Sequence, residues 1–134
     1  MNNSLIYMIT NTASPVLANG IIPLTTIARR RSKVIQSNGD TIVLNCPGYY
    51  KVNATITFSG DVAGEASIEL QKNGITVPGM IGSNTVTTAD TEVRQVVING
   101  VVRVMCNELA TISLVNTGIA ITTSNVSIDV EYLG

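Results

Sequence analysis

The sequence contains no histidine and no tryptophan, and its only cysteines are Cys46 and Cys106. Without histidine, Ser-His and Cys-His catalysis and the commonest general base near neutral pH are excluded. The two cysteines stand far apart and form no Cys-x-x-Cys pair, so a zinc site is not expected. The nine carboxylates show no spacing that marks an acid and base pair. We therefore predict no catalytic residues, no metal and no cofactor.

Charge is scarce as well. Charged residues make up 13% of the chain and the mean hydropathy is +0.33. No apolar stretch approaches the roughly 20 residues that a membrane span requires. The net charge of −1 gives no basic field that would attract nucleic acid, so we predict neither a membrane nor a nucleic-acid partner. A monomer of this size usually needs more charge to cover its surface, and we expect another subunit to cover part of it.

Alternating residues mark β-strands along most of the chain. After Pro47 and Gly48, the residues Tyr50, Val52, Ala54, Ile56 and Phe58 form one apolar strand face. Asn-Gly pairs at 19–20, 38–39, 73–74 and 99–100 predict tight turns, and the Thr-, Ser- and Asn-rich segment 82–90 predicts a surface loop. We predict about ten short strands, with 21–28 as the second extended piece. The fold class is all-β, a single-domain β-sandwich or jelly roll over residues 1–134, with residues 1–4 as a short N-terminal arm.

The first predicted strand, Leu5–Ile9, is apolar on both faces. Each apolar face has to be buried, one against the core of the same chain and the other against a different surface. Together with the low charge, this pattern predicts a homo-oligomer.

Three segments carry a resemblance to a known superfamily. They are Asn38–Leu44 (NGDTIVL), Pro47–Val52 (PGYYKV) and Ile68–Gly74 (IELQKNG), and the final Val126–Leu133 fits the closing strand. In this order they resemble the central strands of the tumour necrosis factor and complement globular-head superfamily. More closely, the chain resembles the short trimeric jelly-roll proteins of phages and prophages of Gram-positive bacteria, and the heads of exosporium collagen-like glycoproteins. The resemblance implies a jelly-roll homotrimer in which one sheet faces a threefold axis.

Two groups of residues are candidates for contacts. We expect the trimer interface at Leu5, Ile6, Tyr7, Met8, Tyr49 and Tyr132. The second group is a docking patch for an acidic protein surface, because arginine forks suit carboxylate recognition; its members are Arg29, Arg30, Arg31 and Lys33. A solvated loop explains the same charges equally well.

Other residues leave alternatives open. Tyr49, Tyr50 and Tyr132 could form an aromatic platform for a glycan, or Tyr50 and Tyr132 could be core residues. Asp129 and Glu131 from three copies could bind calcium, or pair with Lys51 across the sheet.

The cysteines are expected to be free thiols, because the N-terminus shows no secretory-signal pattern and implies folding in the reducing bacterial cytoplasm. In a jelly roll we place Cys46 and Cys106 at opposite ends of the sandwich, too far apart for a disulfide.

The function that these observations favour is that of a non-enzymatic phage virion protein at the virion surface. It would be a homotrimer that decorates the capsid or caps a fibre, docked on an acidic capsid or other virion protein. Two alternatives remain: a receptor- or glycan-binding head of a phage adsorption apparatus, and a bacterial spore-surface protein.

Overall fold

The computed structural model describes residues 4–31 and 34–134, and these residues form eleven β-strands. The strands are β1 (Leu5–Thr10), β2 (Ser14–Val16), β3 (Thr26–Arg31), β4 (Ile35–Asn38), β5 (Thr41–Leu44), β6 (Gly48–Gly60), β7 (Gly64–Lys72), β8 (Ile75–Val86), β9 (Val93–Val104), β10 (Ala110–Asn116) and β11 (Ile121–Tyr132). None of the described residues forms a helix long and apolar enough to span a membrane.

The strands form two antiparallel sheets packed face to face. The six-stranded sheet has the order β3-β1-β11-β6-β9, and β2 also pairs with β11. The five-stranded sheet has the order β4-β5-β10-β7-β8. The chain crosses from one sheet to the other several times, and from β8 to β11 it changes sheet at every strand. This arrangement is the jelly-roll sandwich that the sequence predicts.

The core follows directly from the alternation in the sequence. In β6 every second residue from Tyr50 to Gly60 is buried, and in β11 Val126, Ile128 and Val130 are buried in the same way. The two sheets therefore bury their inward faces against each other, while the intervening residues point outward.

Three of the four Asn-Gly pairs lie at turns. Asn73 and Gly74 both have positive φ, 53° and 82°, as a two-residue hairpin turn between β7 and β8 requires. The turn predicted at Asn99-Gly100 is wrong, because both residues lie inside β9, which pairs with β6 from Val93 to Val104. A Cβ on Gly100 would lie 3.0 Å from Cγ of Met80, so this glycine makes room for a core side chain of the facing sheet.

The surface loop predicted for 82–90 is also partly wrong, because β8 continues to Val86 and pairs with β7. Its polar residues belong to a strand at the edge of a sheet, where one side chain in two is wet. The predicted extended piece at 21–28 contains one isolated bridge, Ile21 to Val115, and the regular strand begins only at Thr26.

Ser4, the last residue of the predicted arm, is buried, and its carbonyl accepts a hydrogen bond from the amide of Tyr132 at 3.0 Å. The rest of the predicted arm, residues 1–3, lies outside the described residues.

Cys46 and Cys106 are both free, as predicted. The expectation that they lie at opposite ends of the sandwich is wrong. Gly48 pairs with Val104, so Cys46 and Cys106 both lie just beyond the same end of the β6–β9 pair.

Candidate functional site

The outward face of the six-stranded sheet is the candidate contact surface. Two of its strands carry outward apolar residues: β1 carries Leu5, Tyr7 and Ile9, which we name the β1 stripe, and β9 carries Val93, Val97 and Val101, which we name the β9 stripe. The three valines of the β9 stripe are 64%, 55% and 53% exposed, in that order. The three valines lie on one face of the strand, with Gln95 and Asn99 between them. Exposed apolar residues grouped on one face are a feature of partner-binding surfaces.

The two central strands of this face are polar. Asp129 of β11 lies beside Asn53 of β6, and Nδ2 of Asn53 donates to Oδ1 of Asp129 at 3.2 Å. Glu131 lies directly opposite Lys51, as the cross-strand pairing alternative predicts. No cluster of three or more potential metal ligands occurs within the part of the chain that the structure describes. Calcium binding by carboxylates of three copies stays a prediction.

The predicted interface residues of β1 divide between the two faces. Ile6 and Met8 are 0% and 1% exposed within the single chain and belong to the core. They have no exposed area to give to a subunit contact, so their assignment to the interface is corrected to the core. Leu5 and Tyr7 point outward and are half-buried. Their place at a subunit contact stays a prediction.

The tyrosines do not form a common platform. Tyr50 is buried, and its hydroxyl donates to the carbonyl of Cys46 at 2.6 Å; burial raises its pKa. The half-buried Tyr132 donates to the carbonyl of Pro47 at 2.7 Å, and its ring centre lies 4.9 Å from that of Tyr50. Tyr49 alone is exposed, with the guanidinium of Arg103 above its ring at 5.8 Å. The Pro-Gly-Tyr-Tyr segment therefore has mainly a structural role, because it packs against Tyr132 and binds its hydroxyl group.

The arginines of the predicted docking patch lie on β3, at the edge of the six-stranded sheet. Arg29, Arg30 and Arg31 are all exposed and pair with Tyr7, Ile6 and Leu5 of β1. Lys33 lies outside the described residues. The ion pairs among the described residues are Lys72–Glu108 and Arg94–Glu92, so the three arginines have no carboxylate partner there. Charge at a sheet edge also discourages edge-to-edge strand pairing.

A cleft of about 580 Å³ that no sequence pattern predicted lies between β8 and β9, and we name it the edge cleft. Ile75, Val77 and Pro78 supply its apolar wall, and Val101 and Arg103 of β9 line the other side. At one end Nζ of Lys72 lies 3.1 Å from Oε2 of Glu108. The signal that could have found the cleft is Pro78-Gly79 inside a strand, because these residues mark an interruption of sheet pairing.

The comparisons with known proteins agree with this geometry. No protein-family model matches the sequence, and no curated protein does. Several solved structures match the fold across nearly the whole chain. Murine APRIL superposes with a TM-score of 0.76 at 12% identity, covering 98% of this chain and 100% of that one.

Two further structures extend the similarity. The globular domain of zebrafish complement 1qA protein gives a TM-score of 0.72 at 7% identity and covers 98% of each chain. Eiger TNF from S. frugiperda gives 0.73 at 9% identity, covering 98% of this chain and 92% of that one. The protein therefore has the jelly-roll fold of the tumour necrosis factor and complement-head superfamily.

Proposed function

We propose that the protein is a non-enzymatic structural protein of a phage virion, a homotrimer that decorates the capsid or caps a fibre. The observation that supports assembly is the outward face of the six-stranded sheet, where the β1 stripe and the β9 stripe lie on either side of the polar strands β11 and β6. Homotrimers are typical of this fold, which supports three as the number of subunits.

The positions of the stripes favour contact between unlike surfaces. The β1 stripe and the β9 stripe lie on opposite sides of β11 and β6 in one sheet, with β9 at one edge and β3 beyond β1 at the other. When the β9 stripe of one copy packs on the β1 stripe of the next, the contact is heterologous, and such contacts close into a ring if the rotation allows it. The polar residues of β6 and β11 then lie nearest to the axis.

The phage assignment is supported by the resemblance of the NGDTIVL, PGYYKV and IELQKNG segments to phage jelly-roll proteins. Attachment to the particle is assigned to the arginines of β3. They are exposed, unpaired with carboxylates in the described part of the chain, and repeated three times in the trimer. Repetition allows weak individual contacts to give strong attachment through avidity.

Assembly is tested by the mass in solution. Three subunits of 14.1 kDa give about 42 kDa by light scattering, from threefold closure. Val97→Asp should reduce this mass to that of one subunit, because it places a charge in an apolar contact. Val62→Asp is the matched control, since Val62 is 50% exposed but lies outside β9, and this variant should remain trimeric. A stable wild-type monomer at micromolar concentration contradicts the proposal.

Docking is tested by charge reversal at Arg30 and Arg31 together. The double variant should attach more weakly to particles and lose the salt dependence of attachment. Its melting temperature should hardly change, because exposed charges contribute only about 0 to 1 kcal/mol to folding. Wild-type occupancy at low and high salt would show that these arginines do not bind the particle.

A receptor- or glycan-binding head is the second candidate, and one observation favours it. A groove of about 430 Å³ lies on the five-stranded sheet, and most of its lining residues carry an amide or a hydroxyl group, including Asn19, Gln71, Thr111 and Ser113, while Ile21 and Val115 add apolar surface. This sheet stays open when copies cover the other one. Glycan-array binding that Ser113→Arg abolishes would support this role, and an empty array would leave the structural role as the better one.

A further inference from the structure

The edge cleft exists because β8 leaves the sheet for one short stretch. Gln71 of β7 pairs with Thr76 and Glu69 pairs with Ile81, so the four residues Val77–Met80 stand opposite Leu70 alone. This bulge turns Met80 into the core beside Gly100. It leaves Pro78 exposed, and the cleft lies between this segment and β9.

The β9 side of the cleft is a strand edge that no described strand pairs with. The amide and carbonyl of Tyr49 bond to Gly134 and Leu133, on the β11 side of β6. Its antiparallel partner Arg103 therefore turns its carbonyl away from β6, and Nζ of Lys72 donates to that carbonyl at 2.8 Å. The direction of the backbone amides and carbonyls alternates from one residue to the next along a strand, so those of Val101 and Asn99 also point away from β6.

Other parts of the chain occupy the two ends of this edge and leave its middle open. The carbonyl of Gln95 accepts from Nδ2 of Asn84 at 3.1 Å, and a Cβ on Gly82 would lie 3.3 Å from the carbonyl oxygen of Val97. The side chain of Lys72 closes the other end at Arg103. Between these two ends, the backbone donors and acceptors of Asn99 and Val101 form a short open edge, and Val101 lines the cleft.

We propose that the edge cleft binds an extended peptide segment of a partner protein, which adds to β9 as a strand and places a carboxylate at Arg103. Backbone hydrogen bonds supply binding in this mode, and apolar walls select side chains. Ile75 is 73% exposed and offers such a wall. The charge fits an acidic segment, because Glu108 balances Lys72 whereas Arg103 has no carboxylate partner among the described residues.

The cleft exposes the backbone edge of β9, whereas the subunit contact involves its outward side chains. Side chains of β9 stand perpendicular to the sheet, and its backbone groups lie within the plane of the sheet. A neighbouring copy on the outward face therefore leaves the backbone edge available, and Val101 is the residue that the β9 stripe and the cleft share. The peptide site goes beyond the proposed virion role and does not depend on it.

The test uses the full-length protein and a fluorescein-labelled peptide, Thr-Val-Thr-Val-Thr-Asp-Gly, in an anisotropy titration. We expect saturable binding that is lost when alternate peptide amides are N-methylated, because this removes the backbone donors. Arg103→Gln should weaken binding about tenfold through loss of a charge-assisted hydrogen bond. Ile75→Asp should also weaken it, whereas the matched control Ile81→Asp, on the same strand outside the cleft and 54% exposed, should not.

Three results would overturn the proposal: no binding at millimolar peptide, equal binding of the N-methylated peptide, or equal loss with Ile81→Asp. Light scattering of each variant tests whether a second copy of the chain, and not a peptide, fills the cleft. If Ile75→Asp and Arg103→Gln dissociate the trimer and the wild type binds no peptide, a second copy of the chain fills the cleft. A monomeric wild type that still binds the peptide contradicts the trimer alone.

Discussion

The outward faces of the two sheets differ in chemistry although both follow the same alternation. On the six-stranded sheet, the outward positions of β1 carry Leu, Tyr and Ile, and those of β9 carry three valines together with Gln, Asn and Arg. On the five-stranded sheet, β7 and β10 present Ser, Glu, Gln and Thr. There Glu69 accepts hydrogen bonds from both Thr76 and Gln71, so the polar groups partner one another. The fold requires only the inward alternation, and the outward residues therefore carry the information about partners.

The largest effect is expected for a substitution on the inward face of β1, compared with one on its outward face. Ile6→Asp places a carboxylate in the core and should destabilise the subunit by roughly 2 to 5 kcal/mol, enough to unfold a marginal domain. Tyr7→Asp, one residue further, points to the outward face and should keep the folded circular dichroism spectrum while losing the trimer. Thermal unfolding and light scattering of the two variants measure these effects.

The comparison between faces fails if the two substitutions behave alike. A folded trimer with Tyr7→Asp would show that the β1 stripe is ordinary surface. Normal melting of Ile6→Asp would show that Ile6 is open to water, against its complete burial in the structure.

A smaller effect is expected on the inward side of β9. Gly100→Val should cost about 1 to 3 kcal/mol, because the added atoms collide with Met80, whose Cγ would lie 3.0 Å from the new Cβ. The same substitution in a Met80→Ala background should cost clearly less, and denaturant unfolding of the four proteins gives the coupling. Equal costs in both backgrounds would mean that Met80 is not the reason for glycine here.

Much of the fold could be predicted because burial follows a period of two. The inward residues of β6 and β11 and the hairpin turn at Asn73-Gly74 are visible in the sequence. The two misses have separate physical causes. Asn99-Gly100 resembles a turn, yet Gly100 is required by packing against Met80, and the Ser- and Thr-rich end of β8 is polar because it lies at a sheet edge.

The candidate site was less predictable, because it depends on which face of a strand points inward. Leu5 and Tyr7 could not be separated from Ile6 and Met8 while β1 was apolar on both faces; the pairing with β11 and the facing sheet decides this. The edge cleft was missed because a bulge brings Pro78 near Arg103, far along the chain. The docking role of Arg29, Arg30 and Arg31 stays a prediction.

The smallest effect concerns Glu108, at the closed end of the edge cleft. The backbone amide of Met105 donates to its carboxylate at 2.8 Å, and Lys72 lies beside it; the amide first and the ammonium group second lower the pKa of Glu108. The lowered pKa in the folded state means that the charged carboxylate stabilises the fold. This contribution is complete above the ordinary glutamate pKa and is lost as the pH falls through the lowered one.

Melting temperatures of the wild type and Glu108→Gln should therefore differ most at neutral pH and converge in acid, with Glu131→Gln as the exposed control. A difference that stays constant with pH would show that Glu108 acts through packing and not through its charge.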